Sequence, residues 1–155
     1  MTVAEKLVEL LKARGLTCAT AESCTGGGVG SAITAVPGSS AVFMGGVISY
    51  ANEVKRDVLG VSDHTLQTVG AVSPETAAQM AEGARKLLKV DLAVSLTGIA
   101  GPDGGREEKP VGLVWFGLAT KDGVRTEKAI FRGDRAKVRE QAVIHALGML
   151  TIGAT

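Results

Sequence analysis

The sequence predicts a three-layer α/β/α sandwich around a mixed, mainly parallel sheet that ends in a hairpin. Three observations carry this expectation. Stretches with helical spacing of apolar residues alternate with short apolar runs over the first two thirds of the chain, the pattern of strands joined by crossover helices. Two strand-like runs then meet across Lys121-Asp122-Gly123, which suits an antiparallel return. Hydrophobic residues make up 45% of the chain but only three Phe, one Trp and one Tyr are aromatic, so Val, Leu, Ile and Ala must fill the core. A length of 155 residues suits a single domain over 1–155.

Each element has its own warrant. Val3, Leu7, Leu10 and Leu11 recur at helical spacing behind Thr2, a natural N-cap, and the pattern stops at Gly15. Residues 17–21 read as a short buried strand. The glycine-rich Ser23 to Gly30 then runs into Ala32, Ile33, Ala35 and Val36, giving strand, turn and helix before Pro37-Gly38. A second strand is expected over 42–50, with a bulge or close backbone approach at Gly45-Gly46. Short helices fit 52–59 and 62–67. Ser73-Pro74-Glu75 is a strong helix start, with a capping hydroxyl, proline in the first turn and a carboxylate facing the dipole. Ala77, Met80, Ala81, Ala84, Leu87 and Leu88 form the expected buried face of that helix, and its small residues predict close packing on a sheet. Residues 92–96 read as a strand, and the polar, glycine-rich 103–110 as a mobile loop. The hairpin strands are 111–119 and 124–131, and Asp134 caps a last helix to about Leu150.

Composition narrows the function. Seventeen Lys and Arg against sixteen Asp and Glu leave a net charge of +1, too little for the cationic field that polynucleotide or anionic-membrane binding needs. Cys18 and Cys24 have no Cys/His pair at metal-ligand spacing, so neither a zinc site nor a disulfide framework is expected, and a reducing cytoplasm fits best. No apolar run is long enough to span a membrane, and the amphipathic N-terminus does not read as a signal peptide.

Three segments can carry chemistry. In Ala21-Glu22-Ser23-Cys24-Thr25-Gly26-Gly27 a hydroxyl stands at a strand end beside a helix N-terminus, where unpaired N–H groups can stabilise an oxyanion or hold a phosphate. The alternative is that Ser23 or Thr25 only caps the helix. No Gly-Lys-Ser/Thr follows, so this is no Walker A loop, and the last glycine of the dinucleotide fingerprint is missing. Cys24 is a rival nucleophile, but the only histidines are His64, in a polar stretch, and His145, within the apolar last helix. A different base is needed. Tyr50 and Lys55 can reach one side of the sheet together, and Lys55 becomes a base once burial or a neighbouring cation lowers its pKa; as a pair they compete with the plainer roles of strand-end aromatic and surface charge. The third segment, Thr97 to Gly105, follows a strand, where open α/β sheets bind ligands, or is simply a long turn.

Taken together these segments resemble the C-terminal domain of the competence/damage-inducible protein family CinA. The residues that carry the resemblance are 21–27, Gly46 to Tyr50 followed by Asn52-Glu53-Val54-Lys55, Leu59-Gly60-Val61, Gly70 to Ser73, Thr97 to Gly105, and Phe131-Arg132-Gly133-Asp134-Arg135, in family order over nearly the whole chain. The length matches that domain alone, without the nucleotide-processing domain of longer relatives. Stand-alone members of the family are nicotinamide-nucleotide amidases. The resemblance therefore implies hydrolysis of the carboxamide of nicotinamide mononucleotide to nicotinate mononucleotide and ammonia, with no metal or organic cofactor; the alternatives are an amidase for a different small amide and a non-catalytic nucleotide-binding or regulatory module on the same scaffold. It implies Ser23 as nucleophile, Tyr50 and Lys55 as a proton relay with either as the direct base, and backbone amides of Cys24, Thr25, Gly26 and Gly27 as the oxyanion hole. It also implies a nucleotide pocket that includes Thr97, Gly98, Ala100, Gly101 and Gly104, and a homodimer or higher homo-oligomer.

Overall fold

The computed structural model describes all 155 residues. Helix α1 (Val3–Arg14) is capped by Thr2, whose hydroxyl accepts the Glu5 N–H, and ends at Gly15 in the left-handed conformation that only glycine adopts freely. Strand β1 (Cys18–Glu22) leads through the glycine turn to α2 (Gly28–Thr34), and a single 3-10 turn (Ser39–Ala41) precedes β2 (Phe43–Ile48). Then follow α3 (Asn52–Asp57), α4 (Asp63–Thr68), α5 (Pro74–Leu88) and β3 (Leu92–Gly98). The chain closes with β4 (Leu113–Thr120), β5 (Gly123–Ile130) and α6 (Arg135–Ala154).

The sheet order is β2-β1-β3-β4-β5. Strands β1, β2 and β3 are parallel, β4 is antiparallel to β3, and β5 is antiparallel to β4. Alternation along the strands divides the interior into two. Cys18, Leu92, Val94, Leu96, Val114, Phe116 and Leu118 point to the side covered by α1, α2 and α6, where a 23-residue apolar cluster forms the main core. Ala19, Ala21 and Ala93 point to the other side and meet Met80 and Ala84 of α5. These are the three expected layers.

Details depart from the sequence reading for local reasons. The close approach expected at Gly45-Gly46 falls at Gly46, where a Cβ would collide with Thr20 Oγ1 of β1, while the bulge itself lies one residue earlier, at Met44, where the register with β1 shifts. The hairpin turn is Lys121-Asp122 alone, because Gly123 already pairs with Thr120. On α5, Leu87 is 51% exposed, although Ala77, Met80, Ala81 and Ala84 are fully buried. At 100° per residue Leu87 falls about 70° from the centre of that stripe, at its margin.

The close approach of α5 rests on Gly83. A Cβ there would lie 1.9 Å from the Leu59 carbonyl oxygen. Gly83→Ala should therefore destabilise the fold by about 1–3 kcal/mol through overpacking, outweighing the gain of about 1 kcal/mol in helix propensity. Urea denaturation gives the sign directly; a more stable variant would mean that α5 can move away from residue 59.

Candidate active site

The first candidate residue stands where the parallel strands end. The chain leaves β1 toward β2 on one side and later returns as β3 on the other, so the carboxyl ends of β1 and β3 open a crevice at a topological switch point. Ser23 follows β1 directly, and its N–H donates to Leu96 O at 3.1 Å, extending the ladder by one residue. The turn beyond it closes through Gly26 N–H to Ser23 O and Gly28 N–H to Thr25 O, with Gly26 and Gly27 at φ +59° and +103°. Alanine would be strained at both.

Glu22 holds this turn from beneath. Its carboxylate is 1% exposed and accepts the N–H groups of Val29 (2.9 Å) and Gly30 (3.0 Å) and the Thr25 hydroxyl (2.7 Å). It caps α2, whose N-cap residue Gly27 has no side chain to do so. From α6, Arg139 donates to Cys24 O at 3.1 Å and to Thr25 O at 3.2 Å. The N–H groups of Cys24 and Thr25 are left without a carbonyl or carboxylate acceptor in the chain.

Lys55, on α3, enters the crevice from the opposite side and is only 1% exposed. Its Nζ lies 3.1 Å from Ser23 Oγ, 2.7 Å from Ser49 O and 3.0 Å from Tyr50 O. No carboxylate pairs with it. Burial without a counter-ion disfavours the ammonium form and pulls the Lys55 pKa below its ordinary value. Burial acts the other way on the Cys24 thiol, which is pushed up to about 11 and stays protonated at neutral pH.

The pair expected from sequence is thus joined through the Tyr50 main chain. The Tyr50 ring is 63% exposed at the rim, with its hydroxyl 3.4 Å from Arg135 Nη2. Arg135 also donates to Gly101 O at 2.8 Å, tying the 97–105 loop to α6. The Thr97 hydroxyl donates to Ala71 O at 2.9 Å and so holds the 70–73 segment against β3.

These residues surround a cleft of about 190 Å³. Ser23, Cys24, Tyr50, Lys55, Thr97, Gly98 and Ala100 line it; Thr25, Gly26, Gly27, Gly101 and Gly104 are not among its lining residues. Asn52, Ala71, Val72 and Arg135 line it too. Sequence reasoning placed these four inside its motifs but gave them no role, because nothing local says that α6 and the 70–73 segment close over β1. Larger hollows of about 350 and 430 Å³ exist elsewhere on the surface, but neither contains a hydroxyl beside a buried lysine. His145 pairs with Glu127 at 2.9 Å and stacks on Phe116, and neither it nor His64 lines the cleft. No group of three His, Cys, Asp or Glu side chains is placed to hold a metal ion, and no helix is long and apolar enough to cross a membrane.

The chain resembles known proteins over nearly its full length. It is 52% identical over 151 residues to the nicotinamide-nucleotide amidohydrolase PncC of Escherichia coli, covering 97% of this chain and 92% of that one. It is 59% identical over 136 residues to a competence-damage inducible protein of Halothermothrix orenii, covering 87% of this chain and spanning about a third (33%) of that relative's length. The crystal structure of the competence/damage inducible protein CihA from Agrobacterium tumefaciens superposes with a TM-score of 0.95 at 44% identity, over 98% of this chain and 93% of that one. The family model for the CinA C-terminal domain matches residues 1–152, and the chain belongs to that family.

Proposed function

We propose that this protein is an amidase that hydrolyses the carboxamide of nicotinamide mononucleotide to nicotinate mononucleotide and ammonia, with Ser23 as nucleophile and Lys55 as its base. The observation that carries the reading is the buried, counter-ion-free Lys55 amine 3.1 Å from Ser23 Oγ. A neutral amine has two N–H bonds and one lone pair. Ser49 O and Tyr50 O take the two N–H groups, which leaves the lone pair for the Ser23 hydroxyl proton. The substrate comes from the likeness to PncC.

In this mechanism Ser23 Oγ bonds to the carboxamide carbon while Lys55 takes the hydroxyl proton. The oxyanion is received by the backbone N–H of Cys24, which lines the cleft, and that of Thr25 next to it, neither of which donates to a backbone carbonyl. The proton then passes to the departing nitrogen, the C–N bond breaks, ammonia leaves, and a Ser23 ester remains. Water, deprotonated by Lys55, attacks that ester; the acid is released and Ser23 recovers its proton. Tyr50 holds Lys55 through its main-chain carbonyl, and its hydroxyl, at the rim beside Arg135, is the relay's outer proton donor to the leaving ammonia. Thr97, Gly98 and Ala100 form the wall against the pyridine ring, while Gly26, Gly27, Gly101 and Gly104 shape the loops behind it.

A cleft of about 190 Å³ is smaller than the ~300–1,000 Å³ of sites that enclose a drug-sized ligand. The ring and amide therefore sit inside and the ribose phosphate reaches the rim, where Arg135 is the cation. The reading includes a cytoplasmic location, supported by two unpaired buried cysteines, and a homodimer or higher homo-oligomer, supported by exposed Ile48, Ile144 and Ile152.

Ammonia release from nicotinamide, its riboside and its mononucleotide, measured side by side, tests the proposal. The mononucleotide should be turned over with kcat/KM about 10- to 100-fold above the riboside, the worth of one charge-assisted phosphate contact. Tight mononucleotide binding without ammonia would make the domain a nucleotide-binding module instead.

A further inference from the structure

We infer that Arg139 is a positioning residue for the reaction, fixing the amides that receive the oxyanion; this rests on the Ser23 reading above. Arg139 does not itself line the cleft, so its effect must pass through the turn it holds at Cys24 and Thr25. Its guanidinium bridges two consecutive carbonyls, Cys24 O at 3.1 Å and Thr25 O at 3.2 Å. A trans peptide points its N–H opposite to its C=O. Drawing Cys24 O toward α6 therefore turns the Thr25 N–H away from α6. The preceding peptide is held by Ser23 O, which accepts the Gly26 N–H, so the Cys24 N–H faces the opposite way from that bond. Neither amide donates to a backbone carbonyl, so both are able to donate to a group bound beside Ser23.

Backbone bonds already hold Ser23 O and Thr25 O, through Gly26 N–H and Gly28 N–H, but the Cys24 carbonyl is held by Arg139 alone. Glu22 holds its far end through Thr25 Oγ1, Val29 N and Gly30 N. The cation also adds to the chemistry. A guanidinium on Cys24 O polarises the peptide between Cys24 and Thr25 and strengthens the Thr25 N–H as a donor. Arg135 and Arg139 lie four residues apart, hence on one face of α6. The first ties down the 97–105 loop at Gly101 O and the second the Ser23 turn, so one helix face sets both walls of the cleft.

Arg139→Gln, which cannot bridge two carbonyls with a charged fork, should lower kcat by about 10- to 100-fold, part of the 10²–10³ lost with a whole oxyanion donor, and leave KM for the mononucleotide within about three-fold. Arg139→Lys keeps the charge without the fork and should fall between wild type and Arg139→Gln. Added guanidinium ion should restore part of the kcat of Arg139→Ala. A well-folded Arg139→Gln with wild-type kcat overturns the inference, as does a loss confined to KM, or one that only follows the folded fraction and is not rescued by guanidinium. Ser23→Ala in the same assay separates the two readings. If it keeps turnover, the serine mechanism falls; if it is inactive while Arg139→Gln is not slowed, only the role of Arg139 falls.

Discussion

Ser23→Ala should reduce ammonia release from nicotinamide mononucleotide by about 10⁴-fold or more and leave the fold intact. The magnitude follows from how nucleophile and base act as a unit. Without the hydroxyl, Lys55 has no proton to take and no ester can form, so only the binding and oxyanion contributions remain. The double variant Ser23→Ala/Lys55→Met should for the same reason be hardly slower than either single variant, whereas independent contributions would multiply. The fold survives because Ser23 contributes to the sheet through its backbone N–H to Leu96 O, which alanine keeps. Cys24→Ala is the matched control. Its thiol belongs to the main apolar cluster and is held protonated by burial, so this variant should keep activity within about three-fold. Retained activity in Ser23→Ala together with loss in Cys24→Ala would reverse the assignment. The readouts are single-turnover ammonia release and thermal unfolding of each variant.

The fold was legible because its signals are local. Thr2, Ser73 and Asp134 cap helices in the structure as their positions in the sequence predict, each side chain accepting a backbone N–H three residues on. The strand ends were less legible: β3 continues to Gly98 because β4 pairs with it across Thr97-Trp115 and Gly98-Val114, a long-range fact that no window on 92–96 contains. The same division runs through the site. Ser23 and Tyr50 announce themselves by chemical type and by lying just past strand ends, and Lys55 by standing five residues after Tyr50. Arg139 does not, since on the sequence it is one more charge on a helix. Only the packing of α6 against α2 and β3 brings its guanidinium to the carbonyls of Cys24 and Thr25. Glu22 was hidden differently: a carboxylate beside a serine suggests catalysis, yet its oxygens face α2 and are occupied by two amides and a hydroxyl.

Lys55→Met should abolish turnover as completely as Ser23→Ala while making the protein no less stable at neutral pH. A folded-state pKa below the ordinary lysine value of 10.5 means that folding strains the charged form. The unfolded chain then binds more protons than the native one between the two pKa values, so native stability rises with pH across that window. Below the lowered folded pKa the lysine is charged in both states and the full burial cost is present; above 10.5 it is gone. Methionine fills a similar volume without a charge, so the Lys55→Met variant should exceed wild type in stability at the acidic end, and the gap should narrow as pH rises toward 10.5. Activity follows the same proton. Wild-type kcat/KM should climb with pH, with an ascending limb below 10.5, because the base is the neutral amine. Lys55→Arg discriminates further, since guanidinium cannot lose its proton in this range and the variant should stay inactive at every pH. Urea denaturation of wild type and Lys55→Met from pH 6 to 10, with pH-rate profiles of wild type and Lys55→Arg, measures both sides of this linkage. A stability gap that does not change with pH, together with an active arginine variant, would remove the neutral lysine from the mechanism and leave the burial of Lys55 a feature of packing alone.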